Sequence, residues 1–221
     1  MQPGRSWIAL IVVAAALHGL ALRTAAQTAL THAQALAALE HTLPLKRAEG
    51  ITRLAEIGTM AETERLARRL ADDDEQVRSL ANAAMWQIWG RSGDPAIDAL
   101  FKRGVAQMEA ADFDAALATF TDIIRRKPSF AEGWNKRATI LFLLGQHEAS
   151  LHDCREVLKR NALHFGALSG MGQIYLQLGD LDQALLHFQR ALKVNPHLPG
   201  AAEAVRLIEQ HQPGSSRRLT T

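Results

Sequence analysis

A single cysteine, Cys154, is all that this chain of 221 residues holds, so no internal disulfide can staple it even in an oxidising compartment. Metal frameworks are missing as well. None of the nine histidines stands in His-Glu-x-x-His spacing or has a cysteine pair beside it. There is no glycine-rich phosphate loop between a strand and a helix, because Gly166, Gly170 and Gly172 fall inside one helically spaced segment. A strong net charge is also lacking. Lys+Arg is 25 against 23 for Asp+Glu, and Arg5 and Arg23 lie in an N-terminal stretch without acids. Without residues 1–26 the balance is 23 against 23, which gives no argument for a nucleic-acid partner. Aromatic residues make up only 5% of the chain, so Trp86 and Trp89, three apart on one helix face, stand out as an aromatic core element. No constellation for nucleophilic, acid-base or metal catalysis is present, and no cofactor is implied.

What the N-terminus does have is Arg5, an apolar run from Trp7 to Leu22 broken only by His18 and Gly19, and then Thr24-Ala25-Ala26. This is the layout of a secretory signal peptide cleaved near Ala26. An uncleaved anchor would want nearer to about 20 apolar residues, and a transit peptide would be amphipathic and Arg-rich. With no cysteine near the cleavage point, lipoprotein processing is excluded. The reading is a periplasmic chain, with an inner-membrane anchor as the alternative.

The rest of the chain is organised by a repeat. Leu117, Leu151 and Leu185 share one phase of 34 residues, as do Gly104, Ala138 and Gly172, then Ile124, Leu158 and Leu192, then Ala111, Gly145 and Gly179. A mid-helix glycine costs roughly 0.5–1 kcal/mol against alanine, so the space it leaves must serve close helix contact. Ala116, Ser150 and Ala184 are small residues on the following helix, and Phe120, Cys154 and Phe188 lie four residues on, on the same face. Each unit therefore reads as a helical hairpin. The expected helices run over 95–109 and 113–126, 130–144 and 147–160, and 164–178 and 181–194, with connections too short for a catalytic loop. Upstream, the pattern predicts helices at 28–43, closed by Pro44, at 45–57, closed at Gly58, and near 60–71 and 75–90. Arg91-Ser92-Gly93, followed by Asp94-Pro95 as N-cap and first turn, is the best domain boundary. Cys154 reads as a buried, inert thiol, and the acidic run Asp72 to Glu75 as a turn and helix start. His32, His41, His147, His187 and His211 read as surface or turn residues, and His164 and His197 as turn residues between repeats.

The repeat resembles the tetratricopeptide (TPR) family, whose signature is Trp-x2-Leu-Gly-x2-Tyr, Ala-x3-Phe and Pro. The third unit carries Leu168, Met171, Gly172, Tyr175, Ala184, Phe188 and Pro196. The second carries Trp134, Arg137, Ala138, Leu141, Ser150 and Cys154, with Ala162 in place of proline. The first carries Leu100, Arg103, Gly104, Gln107, Ala116, Phe120 and Pro128. Upstream, Leu66 to Leu70, Val77-Arg78, Ala81, Ala84 and Ile88 resemble one HEAT-type pair, with generic covering helices as the other reading. The resemblance implies an all-α, right-handed α-solenoid. Its parts are a signal peptide (1–26), HEAT-like helices (27–93), three TPR units within 94–196 (about 97–130, 131–164 and 165–198), a capping helix (197–211) and a disordered tail (212–221).

In this family the first helix of each hairpin lines a concave groove. The resemblance places there Asp98, Phe101, Val105 and Met108, then Glu132, Asn135, Thr139 and Phe142, then Gly166, Ser169, Gln173 and Leu176. Lys102 and Lys136 form a basic ladder beside it. Partner contacts are expected at Phe101, Lys102, Asn135, Lys136, Thr139, Ser169 and Gln173. Arg103 and Arg137 replace an apolar residue of the family, and two readings stay open. They either bridge to acids such as Asp98 or Glu132, or grip an acidic group of the partner. The mode that clamps a C-terminal carboxylate is not expected, since Gly166 and Gly170 stand where basic groups would be needed. The function implied is a non-enzymatic adaptor of the bacterial cell envelope holding a peptide or helix of another protein. The alternative is a membrane-anchored accessory subunit of an envelope assembly complex. Membrane contact is expected only if the N-terminal segment is uncleaved.

Overall fold

The computed structural model describes residues 29–211. The proposed signal segment and the tail from 212 lie outside the described residues. From His32 onward the described chain belongs to one compact unit, and its regular structure is helical throughout.

Four helices come first: α1 (His32–Ala38), α2 (Pro44–Ile57), α3 (Thr63–Arg69, entered through a short 3-10 turn) and α4 (Glu75–Trp89). Pro44 was expected to close a helix at 28–43. It instead opens α2 at its first position, where a missing N–H costs nothing and φ is already helical. Arg47 and Asp72 form a bidentate pair at 2.8 and 2.6 Å, both buried. Asp74 caps α4 by accepting from Val77 N–H. The acidic run is thus a cap and an ion-pair partner.

Three hairpins follow: α5 (Pro95–Glu109) with α6 (Phe113–Arg126), α7 (Ala131–Leu143) with α8 (His147–Arg160), and α9 (Phe165–Gln177) with α10 (Leu181–Val194). A final helix, α11 (Ala201–His211), packs on α10. Within each hairpin the helices pack on one another, and α6 on α7 and α8 on α9 join the hairpins. Asp94, Asp112 and Asp180 cap α5, α6 and α10 through their side chains. The shared phase of Ala111, Gly145 and Gly179 is the left-handed residue of the intra-hairpin turn, with φ of 57°, 72° and 77°. Glycine takes that conformation freely, whereas Ala111 carries a steric cost of about 1 kcal/mol.

The other shared phases explain the core. A Cβ added to Gly104 would stand 2.7 Å from the Phe120 ring, and one added to Gly172 would stand 2.8 Å from the Phe188 ring. In the middle hairpin both partners change together. Ala138 packs with Cys154 in one buried cluster, so a larger residue on α7 is matched by a smaller one on α8. Burial, and then neighbouring Asp153, push the Cys154 thiol up to about 12, which leaves it inert. The pairing can be tested: Cys154→Phe alone should overpack the site and cost about 1–3 kcal/mol. Adding Ala138→Gly should recover most of that loss in urea denaturation.

His187 departs from its expected surface position. It is buried and stacks on Tyr175 with centroids 5.4 Å apart. Burial, with Arg190 and Arg155 nearby, pushes its imidazole down to about 4, so it stays neutral at physiological pH.

Candidate functional site

The 34-residue register puts the inward faces of α7 and α9 side by side, and the loop before α11 closes one end. Asn135, Thr139 and Phe142 of α7, Ser169 and Gln173 of α9, and Leu198 with Pro199 line a cleft of about 280 Å³, with Cys154 at its floor. Asn82 and Trp86 of α4 complete the wall. No lining residue is charged, in a chain that is 22% charged. The cleft therefore offers apolar surface with amide and hydroxyl groups, and no counter-ion for a carboxylate.

Four of the expected partner-contacting residues, Asn135, Thr139, Ser169 and Gln173, come together on this cleft. Three others are placed elsewhere. Phe101 packs edge-on against Phe120 and Phe130, with centroids at 6.0 and 5.3 Å. The first hairpin packs it, partly buried, against its own core. Lys102 is exposed and Lys136 half-buried, and both stand outside the cleft lining. Val105 and Met108 also join the first core cluster. Arg103 is exposed.

Arg137 is engaged within the chain. Its Nε and one terminal nitrogen donate to Asp153 at 2.7 and 2.9 Å, and the other terminal nitrogen donates to Thr121 at 3.2 Å. The guanidinium also lies over the Trp134 ring. Asp153 is 1% exposed, so this fork spans α7 and α8 and its planar face is spoken for. The acid it meets is neither Asp98 nor Glu132.

What sequence reasoning missed is the seating of α4 on the inner wall. Trp86 and Trp89, 5.2 Å apart and edge to face, do not merely serve their own segment. Both rings pack against Phe165, and Trp89 stacks on His164 at 4.6 Å. A Cβ on Gly166 would stand 2.6 Å from the Trp86 ring. Gly166 occupies the phase of Asp98 and Glu132, and its missing side chain is the signal that something else enters there. At the same phase of the first hairpin, Asp98 accepts from Ser92 N–H at 2.7 Å. The upstream segment thus occupies part of the wall expected to face a partner, and the cleft is correspondingly narrower.

Beneath the two tryptophans lies a buried polar set. Ala167 N–H donates to His164 Nδ1 at 2.9 Å, so Nε2 carries the proton and donates to Glu132 at 2.6 Å. Asn135 donates to the other Glu132 oxygen at 3.0 Å. Glu132 is 2% exposed and His164 0%, so neither faces the groove or an open turn as expected. Burial opposes ionisation of Glu132, but the hydrogen bonds from His164 and Asn135 outweigh it and hold the carboxyl below the usual carboxylate range.

Fold and cleft together define an α-solenoid of helical hairpins with an uncharged cleft on its inner face. Tetratricopeptide repeat models match residues 101–162 and 166–198. The chain is 33% identical over 143 residues to a TPR repeat-containing protein of Rhizobium etli, an alignment covering 65% of this chain and 70% of that one. It belongs to the tetratricopeptide repeat family. Among solved structures, the first TPR of Spaghetti (RPAP3), bound to the HSP90 peptide SRMEEVD, matches with a TM-score of 0.50. That likeness is at 23% identity over 52% of this chain and 90% of that one. The Yersinia enterocolitica type III secretion chaperone SycD, in complex with a peptide of the translocator YopD, matches with a TM-score of 0.50 at 12% identity. It covers 53% of this chain and 95% of that one.

Proposed function

We propose that this chain is a protein-binding adaptor that acts by capture and not by catalysis. In this reading it holds an uncharged, partly apolar segment of a partner protein in the cleft between α7, α9 and the Trp86 face of α4. The observation that carries the reading is the uncharged lining. A segment with one or two apolar side chains would bury them against Trp86, Phe142 and Leu198. Its backbone would meet Asn135, Ser169 and Gln173. Support comes from the two structural neighbours solved with peptides bound. An acidic peptide such as the one bound to RPAP3 would find no cation in this lining.

The reading includes export to the periplasm by the N-terminal segment, supported by the run from Trp7 to Leu22 and the small residues before Gln27. No helix among the described residues is long and apolar enough to cross a membrane. One experiment addresses both parts. Tagged chain is purified from a fractionated cell with whatever it holds, and its N-terminus is sequenced. Gln173→Lys, at an exposed position on the cleft, should lower capture of that partner by about tenfold through a charge that must be desolvated. Helicity should be unchanged. Undiminished capture would remove the cleft from the mechanism, and an intact N-terminus in the membrane fraction would replace export by anchoring.

A further inference from the structure

A second cavity, of about 140 Å³, lies at the seam between the upstream helices and the repeats. It differs from the cleft in every electrostatic respect. Arg91, Lys127 and Arg160 line it together with Ser92 and Ser129, and no carboxylate does. Two residues of its wall have polar N–H groups that are buried without a hydrogen-bond partner, Trp89 at Nε1 and Asn161 at Nδ2. They are 3% and 5% exposed. Orphaned donors at this depth are costly and call for an acceptor.

The nearby charges leave that acceptor unfilled. Arg91 donates to the backbone carbonyls of Glu56 and Gly58, at 2.6 and 2.9 Å, which uses two of its five N–H groups and does not neutralise it. Lys127 takes no part in the ion pairs that Asp122 and Glu156 form with Arg125, Arg126, Lys159 and Arg160 among the described residues. Arg160 is paired with Glu156. The other acids close by are turned to other work, Asp98 to Ser92 N–H and Glu132 to His164. Phe130 and Ala131, also in the wall, are the start of α7, whose N-cap makes no side-chain bond. The backbone N–H groups that open α7 add further donors, with Glu132 of the same turn held by His164.

We propose that this pocket binds a small tetrahedral oxyanion, inorganic phosphate or the phosphate of a monoester. Such a group carries acceptors in several directions and can meet Trp89, Asn161, Arg91 and Lys127 at once, whereas a planar carboxylate reaches fewer of them. Because Met60, Trp89, Arg91 and Ser92 come from the upstream segment and Lys127 to Ala131, Arg160 and Asn161 from the repeats, the bound anion would tie the two together.

The test is a titration of the full chain with inorganic phosphate, followed by the indole N–H resonance of Trp89, assigned by its loss in Trp89→Phe. Sodium chloride at matched ionic strength, sodium acetate and glycerol phosphate form the other arms. Phosphate should shift the resonance saturably, at concentrations where chloride and acetate do not. Glycerol phosphate binding as tightly as phosphate would identify a monoester as an admissible ligand, and its failure would restrict the site to the free ion. Lys127→Ala should weaken binding by about tenfold, and Lys127→Arg, which keeps the charge, should retain it. A phosphate response no greater than that of chloride, an equal response to acetate, or an unchanged titration in Lys127→Ala would each overturn the proposal and leave bound water as the partner of these donors.

Discussion

Phe188→Ala is expected to lower the unfolding free energy by about 3–5 kcal/mol. Phe188 is 2% exposed and serves two layers. Its ring fills the notch left by Gly172, and it packs with Ala201 and Ile208 of α11. In a stacked array each hairpin is held mainly by its neighbours, so the cavity weakens both the third hairpin and the terminal helix. Urea denaturation followed by far-ultraviolet circular dichroism would measure it. Hydrogen exchange should report the first loss of protection in α11. A loss below about 1 kcal/mol would mean that the site collapses to fill the void, and that the glycine notch is not what holds the ring.

Glu132→Ala is expected to cost about 3 kcal/mol at neutral pH, because it leaves His164 buried with a donor and no acceptor. The cost should depend on pH in a stated direction. The folded Glu132 carboxyl titrates below its unfolded value of about 4.3. The stability it contributes is therefore complete above that value, and it disappears as pH falls through the lower folded pKa. Wild type and Glu132→Gln should thus differ most at neutral pH and converge as acid carries the pH through the lowered folded pKa. Unfolding midpoints of the two proteins, measured from pH 7 to 3, check this. A gap that widens toward acid would show that the carboxylate is not stabilised by its partners. Since His164 also caps α9 and stacks on Trp89, the variants should loosen the seat of α4 on the inner wall, seen as a red shift of tryptophan emission.

The hairpins, their turns and their small-to-aromatic contacts were legible because each depends on residues close in sequence. The phase of Ala111, Gly145 and Gly179 marks one backbone conformation repeated three times, and that of Gly104, Ala138 and Gly172 marks one packing problem solved three times. Helix ends came from local chemistry as well, apart from Pro44. There a proline reads equally as a stop for the residues before it or a start for those after it. The cleft was half legible. Register alone put Asn135, Thr139, Ser169 and Gln173 on one surface, while Phe101 in the same phase was drawn into the first core by Phe120 and Phe130.

The repeat by itself determined that this chain is an α-solenoid, because a hydrophobic pattern recurring every 34 residues can bury itself only by stacking like units. Tertiary structure alone decided what faces the inside of that stack. Trp86 meets Gly166 and Glu132 meets His164 across separations that no local periodicity encodes. These contacts depend on where four upstream helices come to rest against the repeats. They left one uncharged cleft for the proposed partner and one cationic seam pocket, since burying a tryptophan face against the wall removes apolar surface from water and shuts out the side chains that would otherwise have filled it.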